Sequence, residues 1–117
     1  MRRIKIELPW PPTVNTMFAT FKGRRILSAA GRKYRAEAIA IAKLMGVCDR
    51  VLSRLSVSIT AYPPDRRKRD LDNLLKAPLD AMTHAGVWDD DSQIDKLSIA
   101  RGEIRKGGGI TVIINTP

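Results

Sequence analysis

A single cysteine, Cys48, stands among the 117 residues, which excludes an intrachain disulfide and any cysteine-rich zinc site. Cys48 is also a poor nucleophile, because it sits in Gly46-Val47-Cys48-Asp49 and only one histidine, His84, is available to activate it. It is read as a structural or incidental thiol. No apolar run approaches the roughly 20 residues needed to span a bilayer. The N-terminus is basic, but Ile4, Ile6 and Leu8 alternate with Lys5 and Glu7 where a signal peptide would be continuously apolar. A soluble, cytoplasmic protein with no membrane partner is expected. Repeats and low-complexity segments are absent, apart from the short Gly107-Gly108-Gly109 turn.

Acid is scarce too: twelve Asp and Glu stand against twenty-one Lys and Arg, for a net charge of +9. Such a surface draws a polyanion by neutralising phosphates and releasing counterions, so nucleic acid is the expected partner. The few acids are unevenly placed. Six of the twelve fall between Asp70 and Asp91, where Lys76 is the only Lys or Arg. They read Asp70-Leu71-Asp72-Asn73-x-x-Lys76, then Asp80, then Asp89-Asp90-Asp91, directly after Arg66-Arg67-Lys68-Arg69. Carboxylates inside a basic surface repel the polyanion that surface attracts unless a cation bridges the two. Hard divalent ions such as Mg²⁺ take oxygen ligands, often one or two carboxylates plus phosphate oxygens. The layout points to a metal-dependent phosphodiesterase acting on nucleic acid.

With 44% hydrophobic and 28% charged residues the chain is globular. Its length suits one domain over residues 1–117. The alternation at Ile4, Ile6 and Leu8 predicts a strand that Pro9-Trp10-Pro11-Pro12 terminates. A loop through Asn15 and a short hairpin around Lys22-Gly23-Arg24 follow. Ser28 then caps a helix to about Met45, with Tyr34, Ala38, Ile41, Ala42 and Met45 as its apolar stripe and Gly46 as its stop. Leu55, Val57, Ile59 and Ala61 predict a second strand ending at Pro63-Pro64. A helix from about Asp72 to Ala85 puts Leu71, Leu74, Leu75, Pro78 and Met82 on one side. Pro78 requires a kink there or a late start, because an interior proline costs about 3 kcal/mol. Ile94, Leu97 and Ile99 suggest a strand of imperfect alternation, and Ile110–Ile114 a clearer last one. The expected architecture is a small α/β domain, a mixed sheet of about four strands with two main helices packed against it.

If Asp70 is extended and Asp72 opens the helix, their side chains at i and i+2 point the same way, and a metal can sit between them. Lys76, one turn beyond Asp72, then reaches a scissile phosphate or leaving oxygen. The plain alternative is an N-capping aspartate with a surface Asp72–Lys76 pair worth well under about 1 kcal/mol. Asp70 neither caps nor pairs on this reading, which favours the metal. In the second cluster Asp91 stands nearest the strand entrance, and Asp90 competes with it on spacing. Arg66, Arg67, Lys68 and Arg69 are read as phosphate contacts, with a solubility patch as the alternative. Trp88 is assigned to core packing over base stacking, and His84 to the helix surface. Trp10 and Asn15 carry no role that composition reveals.

Three stretches taken together closely resemble the RusA family of Holliday-junction resolvases. They are Leu8-Pro9-Trp10-Pro11-Pro12-Thr13-x-Asn15, Pro64 to Lys76, and Asp80-Ala81-x-x-x-Ala85-Gly86-Val87-Trp88-x-Asp90-Asp91-x-Gln93. The match runs in order along nearly the whole chain and includes the Lys106-Gly107-Gly108 turn. The resemblance implies a homodimeric α/β endonuclease, dependent on Mg²⁺ or Mn²⁺, that nicks four-way DNA junctions symmetrically in recombination and repair. Members are often encoded by bacteria and their prophages. It also implies that Asp70, Asp72 and Asp91 are the catalytic, metal-holding carboxylates and Lys76 the essential lysine. A nuclease for flaps or other branched DNA is the alternative enzyme. A structure-selective DNA-binding protein with an inert acidic cluster is the non-enzyme alternative.

Overall fold

The computed structural model describes residues 2–117. The predicted first strand forms as β1 (Arg3–Leu8), in which Ile4, Ile6 and Leu8 turn inward and Arg3, Lys5 and Glu7 outward. A short helix, α1 (Val14–Met17), then stands where a loop was expected. Thr13 makes it possible, because its Oγ1 accepts from the Thr16 N–H at 3.4 Å and its carbonyl accepts from Met17 at 2.9 Å. The predicted hairpin is β2 (Phe18–Phe21) and β3 (Arg24–Leu27), which among the described residues pair only with each other.

Helix α2 (Ala29–Met45) begins and ends as predicted, with Ser28 accepting from the Gly31 N–H and Gly46 at the C-cap. Its buried stripe is Tyr34, Ala38 and Ala42; Ile41 is partly buried, and Met45 is half exposed rather than core. Strand β4 (Leu55–Tyr62) stops before Pro63, as expected. The helix expected from Asp72 is two elements instead: a 3-10 turn (Leu71–Leu74) and then α3 (Lys76–Ala85). Pro78 is the reason. As the third residue of α3 it lies in the first turn, where a backbone N–H has no intrahelical acceptor and none is missed. A second 3-10 turn (Asp91–Gln93) leads into β5 (Ile94–Arg101), and β6 (Gly109–Asn115) closes the chain.

The sheet order is β1-β6-β4-β5, with β6 antiparallel to both neighbours and β4 parallel to β5. It is the expected mixed four-stranded α/β sheet with two main helices. Ile4, Ile6 and Leu8 of β1, Val57, Ile59 and Ala61 of β4, and Ile110, Val112 and Ile114 of β6 form one core. The buried residues of α2 and α3 join that core, so the inward face of the sheet is covered by helices. Arg35 of α2 donates to Asp80 of α3 at 3.1 and 2.9 Å, a half-buried pair linking the two helices. The imperfect alternation of Ile94–Ile99 has a topological reason: β5 is an edge strand, mostly exposed on both faces. Among the described residues no helix is long and apolar enough to cross a membrane.

Parallel strands cannot be joined by a tight turn and need a crossover. The β4–β5 crossover is residues 63–93, and it holds every acidic residue from Asp65 to Asp91 together with Arg66–Arg69 and Lys76.

Candidate active site

The crossover leaves β4 through a loop that is pinned from within. Asp65 accepts from the Arg67 N–H at 2.9 Å and pairs with Arg69 at 2.8 Å. The backbone bond from Arg67, then the Arg69 bond, hold the Asp65 carboxyl below its ordinary range. Arg69 also donates to the carbonyls of Asp65 and Arg67 at 3.2 and 3.3 Å and lies 5.4 Å from the Trp10 ring centroid. From the edge strand, Arg101 donates to the Arg69 carbonyl at 2.8 Å. Arg69, with 16% of its side chain exposed, is therefore the loop's internal brace. Arg66, Arg67 and Lys68 remain exposed, along a cleft of about 630 Å³ that also includes Arg101 and Asp70. Trp10, opaque in the sequence, supplies the ring against which the brace rests.

Asp70 ends this loop in an extended conformation (φ −89°, ψ 125°) and precedes the 3-10 turn without a side-chain capping bond. Among the described residues only its carbonyl is engaged, by the Asn73 N–H at 3.2 Å. Asp72 lies exposed in the first turn. Among the described residues, every acidic side chain other than Asp70 and Asp72 has a hydrogen-bond or ion-pair partner. Lys76 opens α3, exposed, and no ion pair ties it to Asp72. The surface-pair alternative for Asp72 and Lys76 is thereby absent among the described residues.

The aspartate triplet divides by geometry. Asp89 pairs with Arg50 at 3.0 Å on the surface. Asp90 caps the second 3-10 turn, its Oδ2 accepting from the Ser92 N–H at 2.9 Å. Hydrogen bonds from Ser92, side chain first and then backbone, hold the Asp90 carboxyl below its ordinary range. The buried Gln93 completes the turn: its Oε1 accepts from the N–H groups of Asp89 and Asp90 at 2.8 and 2.7 Å. Its Nε2 donates to the carbonyls of Val51 and Ser53, both at 2.8 Å.

Asp91 is held differently. Its Oδ1 accepts from the Trp88 indole N–H at 3.0 Å and from the Thr83 hydroxyl. Trp88 is fully buried, as the core assignment expected, and its N–H is shared with Thr83 Oγ1 at 2.7 Å. The Thr83 hydroxyl has one proton and two acceptors, Asp91 and the Leu79 carbonyl at 3.2 Å. The Asp91 oxygen is the nearer acceptor and takes it. Asp91 Oδ2 has no partner among the described residues. Thr83 gave no signal in the sequence; it lies eight positions from Asp91, and only the turn after Gly86 folds the chain back. His84 is on the helix surface as expected, 3.6 Å from Asp80.

These carboxylates do not form a ready-made cage: among the described residues, no three His, Cys, Asp or Glu side chains lie close enough together to hold a metal ion. The donor chemistry nonetheless fits a hard divalent ion of the Mg²⁺ type. Asp70 and Asp72 offer unengaged carboxylates and Asp91 a free Oδ2. Mg²⁺ is commonly held by one or two carboxylates, with water and substrate phosphate completing its shell.

Comparison with known proteins adds an independent observation. The family model described as Endodeoxyribonuclease RusA matches residues 9–115. The chain is 38% identical over 114 residues to the crossover junction endodeoxyribonuclease RusA of Escherichia coli (strain K12), covering 97% of this chain and 95% of that one. Identity and coverage are the same for the protein of that name from Enterobacteria phage 82. For the one from Enterobacteria phage HK97 the identity is 36%, with equal coverage.

Proposed function

Because the chain belongs to the RusA endodeoxyribonuclease family, we propose that it is a crossover junction endodeoxyribonuclease that resolves four-way DNA junctions by paired symmetric nicks, with Mg²⁺ or Mn²⁺ as cofactor. The observation that carries the residue-level reading is that, among the described residues, Asp70 and Asp72 are the acidic side chains without a hydrogen-bond or ion-pair partner, and that Asp70 ends an arginine-lined cleft. Both carboxylates are exposed in a chain of net charge +9, and Asp70 shares its cleft with Arg66, Arg67, Arg69 and Arg101 without pairing to any of them among the described residues. A cation bridging them to phosphate accounts for the arrangement.

In this reading Asp70, Asp72 and Asp91 hold the ion. When bound, it supplies Lewis-acid polarisation of the phosphate and an activated water. Arg66, Arg67 and Lys68 contact the flanking phosphates, while Arg69 acts indirectly by shaping the loop that presents them. The Lys76 ammonium neutralises charge developing on the phosphate, a contribution greatest in the transition state. Trp88 and Thr83 fix one oxygen of Asp91 so that the other faces outward. Residues 1–117 act as one unit in the cytoplasm, and two copies form the enzyme. A four-way junction is close to two-fold symmetric, so a C2 dimer presents one site to each of two opposed strands.

The test is cleavage of a synthetic four-way junction with and without Mg²⁺, by wild type and by Asp70→Asn. Wild type should nick only with metal and favour the junction over flaps and forks. Asp70→Asn should bind the junction undiminished, since the basic contacts remain, and should not cut it. Substantial nicking by the variant would remove Asp70 from the ligand set, and a preference for flaps would replace the substrate.

A further inference from the structure

Between Leu8 and Ala36 the chain carries six Lys and Arg and no Asp or Glu. The hairpin β2–β3 occupies the middle of this stretch and belongs to no larger sheet. A free two-stranded ribbon is marginal in water, and this one is anchored at its root. Phe18 and Leu27 face each other there, partly buried against the core. Arg32 of α2 donates to the Leu27 carbonyl at 2.8 Å, and Ser28 Oγ donates to the Thr16 carbonyl at 2.6 Å. Arg25 lies 4.0 Å from the Phe18 ring centroid and stiffens the root further. Beyond that root, every residue from Ala19 to Ile26 is exposed.

Directly opposed residues of a ribbon share a face. Ala19, Ile26, Phe21 and Arg24 thus lie on the face opposite the anchoring Phe18 and Leu27. Phe21 is 58% exposed and Ile26 39%. They are diagonal neighbours, so the tip presents an apolar platform edged by Lys22 and Arg24. Lys22 and Gly23 form the turn with φ of 51° and 73°; two positive φ values are what a tight two-residue hairpin turn requires. An aromatic platform rimmed by cations and free of carboxylates matches an unstacked base with its phosphates. The hairpin also grows from the rim of the candidate site. Thr13, the cap of α1, lines a cavity of about 250 Å³ together with Lys68 and Asp70, and α1 runs directly into β2.

The geometry points to a second DNA-contacting element: the β2–β3 hairpin engages the branch point, with Phe21 stacking on an unpaired base and Lys22 and Arg24 holding the adjacent phosphates. This rests on the junction reading above and adds a separate determinant of branch recognition, outside the carboxylate cleft. It is tested by binding to a four-way junction and to a linear duplex of matched sequence, with Ca²⁺ replacing Mg²⁺ to suppress cleavage. Phe21→Ala should weaken junction binding about tenfold, the loss expected for one base–aromatic stack, and change duplex binding less than about twofold. Phe21→Trp should bind the junction like wild type. The double variant Lys22→Ala/Arg24→Ala should weaken both complexes and flatten the salt dependence of log K by about two units. Junction affinity within twofold of wild type for a folded Phe21→Ala protein overturns the hairpin's role alone. A changed sedimentation state in that variant also overturns it, making the hairpin a subunit contact. Wild type that binds junction and duplex equally overturns the junction reading and this inference with it.

Discussion

Replacing Thr83 with valine tests whether the support under Asp91 acts on the metal or only on the fold. The substitution keeps the branched shape, and the two residues have similar helix propensity, so α3 is little affected. What it removes is one hydroxyl, and with it a bond to the Asp91 carboxylate and the nearer acceptor of the Trp88 N–H, at 2.7 Å. Trp88 keeps Asp91 at 3.0 Å, so no buried donor is orphaned. A hydrogen bond to a charged group is worth about 1.5–3 kcal/mol. Thr83 is only partly buried and water can replace some of that, so a stability loss of about 1–2 kcal/mol is expected. With one of its two donors gone, Asp91 Oδ1 is held by the Trp88 N–H alone and the carboxylate is less firmly fixed. Loss of such outer support typically costs 10–100-fold in metal affinity. Mn²⁺ titration calorimetry on the protein bound to an uncleavable junction analogue should therefore show about tenfold weaker binding for Thr83→Val. Nicking should need correspondingly more Mg²⁺ and recover at saturation, while Thr83→Ser, which restores the hydroxyl, should return both toward wild type. A Thr83→Val protein that melts earlier yet shows wild-type Mn²⁺ affinity and Mg²⁺ dependence would refute the reasoning: the Thr83–Asp91–Trp88 contacts would then hold only the turn.

Lys76→Ala should slow single-turnover cleavage about 100-fold, the scale of one transition-state charge contact, while junction affinity falls less than about threefold; proportional losses would make Lys76 a binding residue only. Within the triplet, Asp91→Asn should abolish nicking in a folded protein and Asp89→Asn should leave it intact. Asp90→Ala should lower the melting temperature at neutral pH. Because Asp90 is held below its ordinary range in the fold, its contribution is present above the unfolded carboxylate range and lost as the pH falls through its lower native value; a melting deficit that persists unchanged at acid pH would contradict this. Gly102→Ala places a Cβ 2.6 Å from two ring carbons of Tyr62, which should cost about 1–2 kcal/mol in thermal unfolding as the ring beside the basic cleft is displaced.

The sequence by itself determined the elements whose signals are local. Alternation alone identified β1, β4 and β6, because a two-residue period with one buried face has a single inward set. Ser28 and Gly46 marked the two ends of α2 through capping chemistry that depends only on neighbouring residues. The crowding of acids between Asp70 and Asp91, beside Arg66–Arg69, was equally legible as a departure from the chain's overall charge. Other features depended on which segments meet. Pro78 left a kink and a late start of α3 equally open in the sequence, and the 3-10 turn over Leu71–Leu74 decided for the late start. The exposure of β5 follows from its place at the sheet edge. Arg69 was indistinguishable in sequence from Arg66–Lys68, and only the approach of Asp65, Trp10 and Arg101 made it a brace. Asp89, Asp90 and Asp91 were likewise three equal letters until Arg50, Ser92 and the Trp88–Thr83 pair each claimed one. Those partners lie from two to thirty-nine positions away, and folding, which sets long-range distances that no local pattern encodes, chose among them.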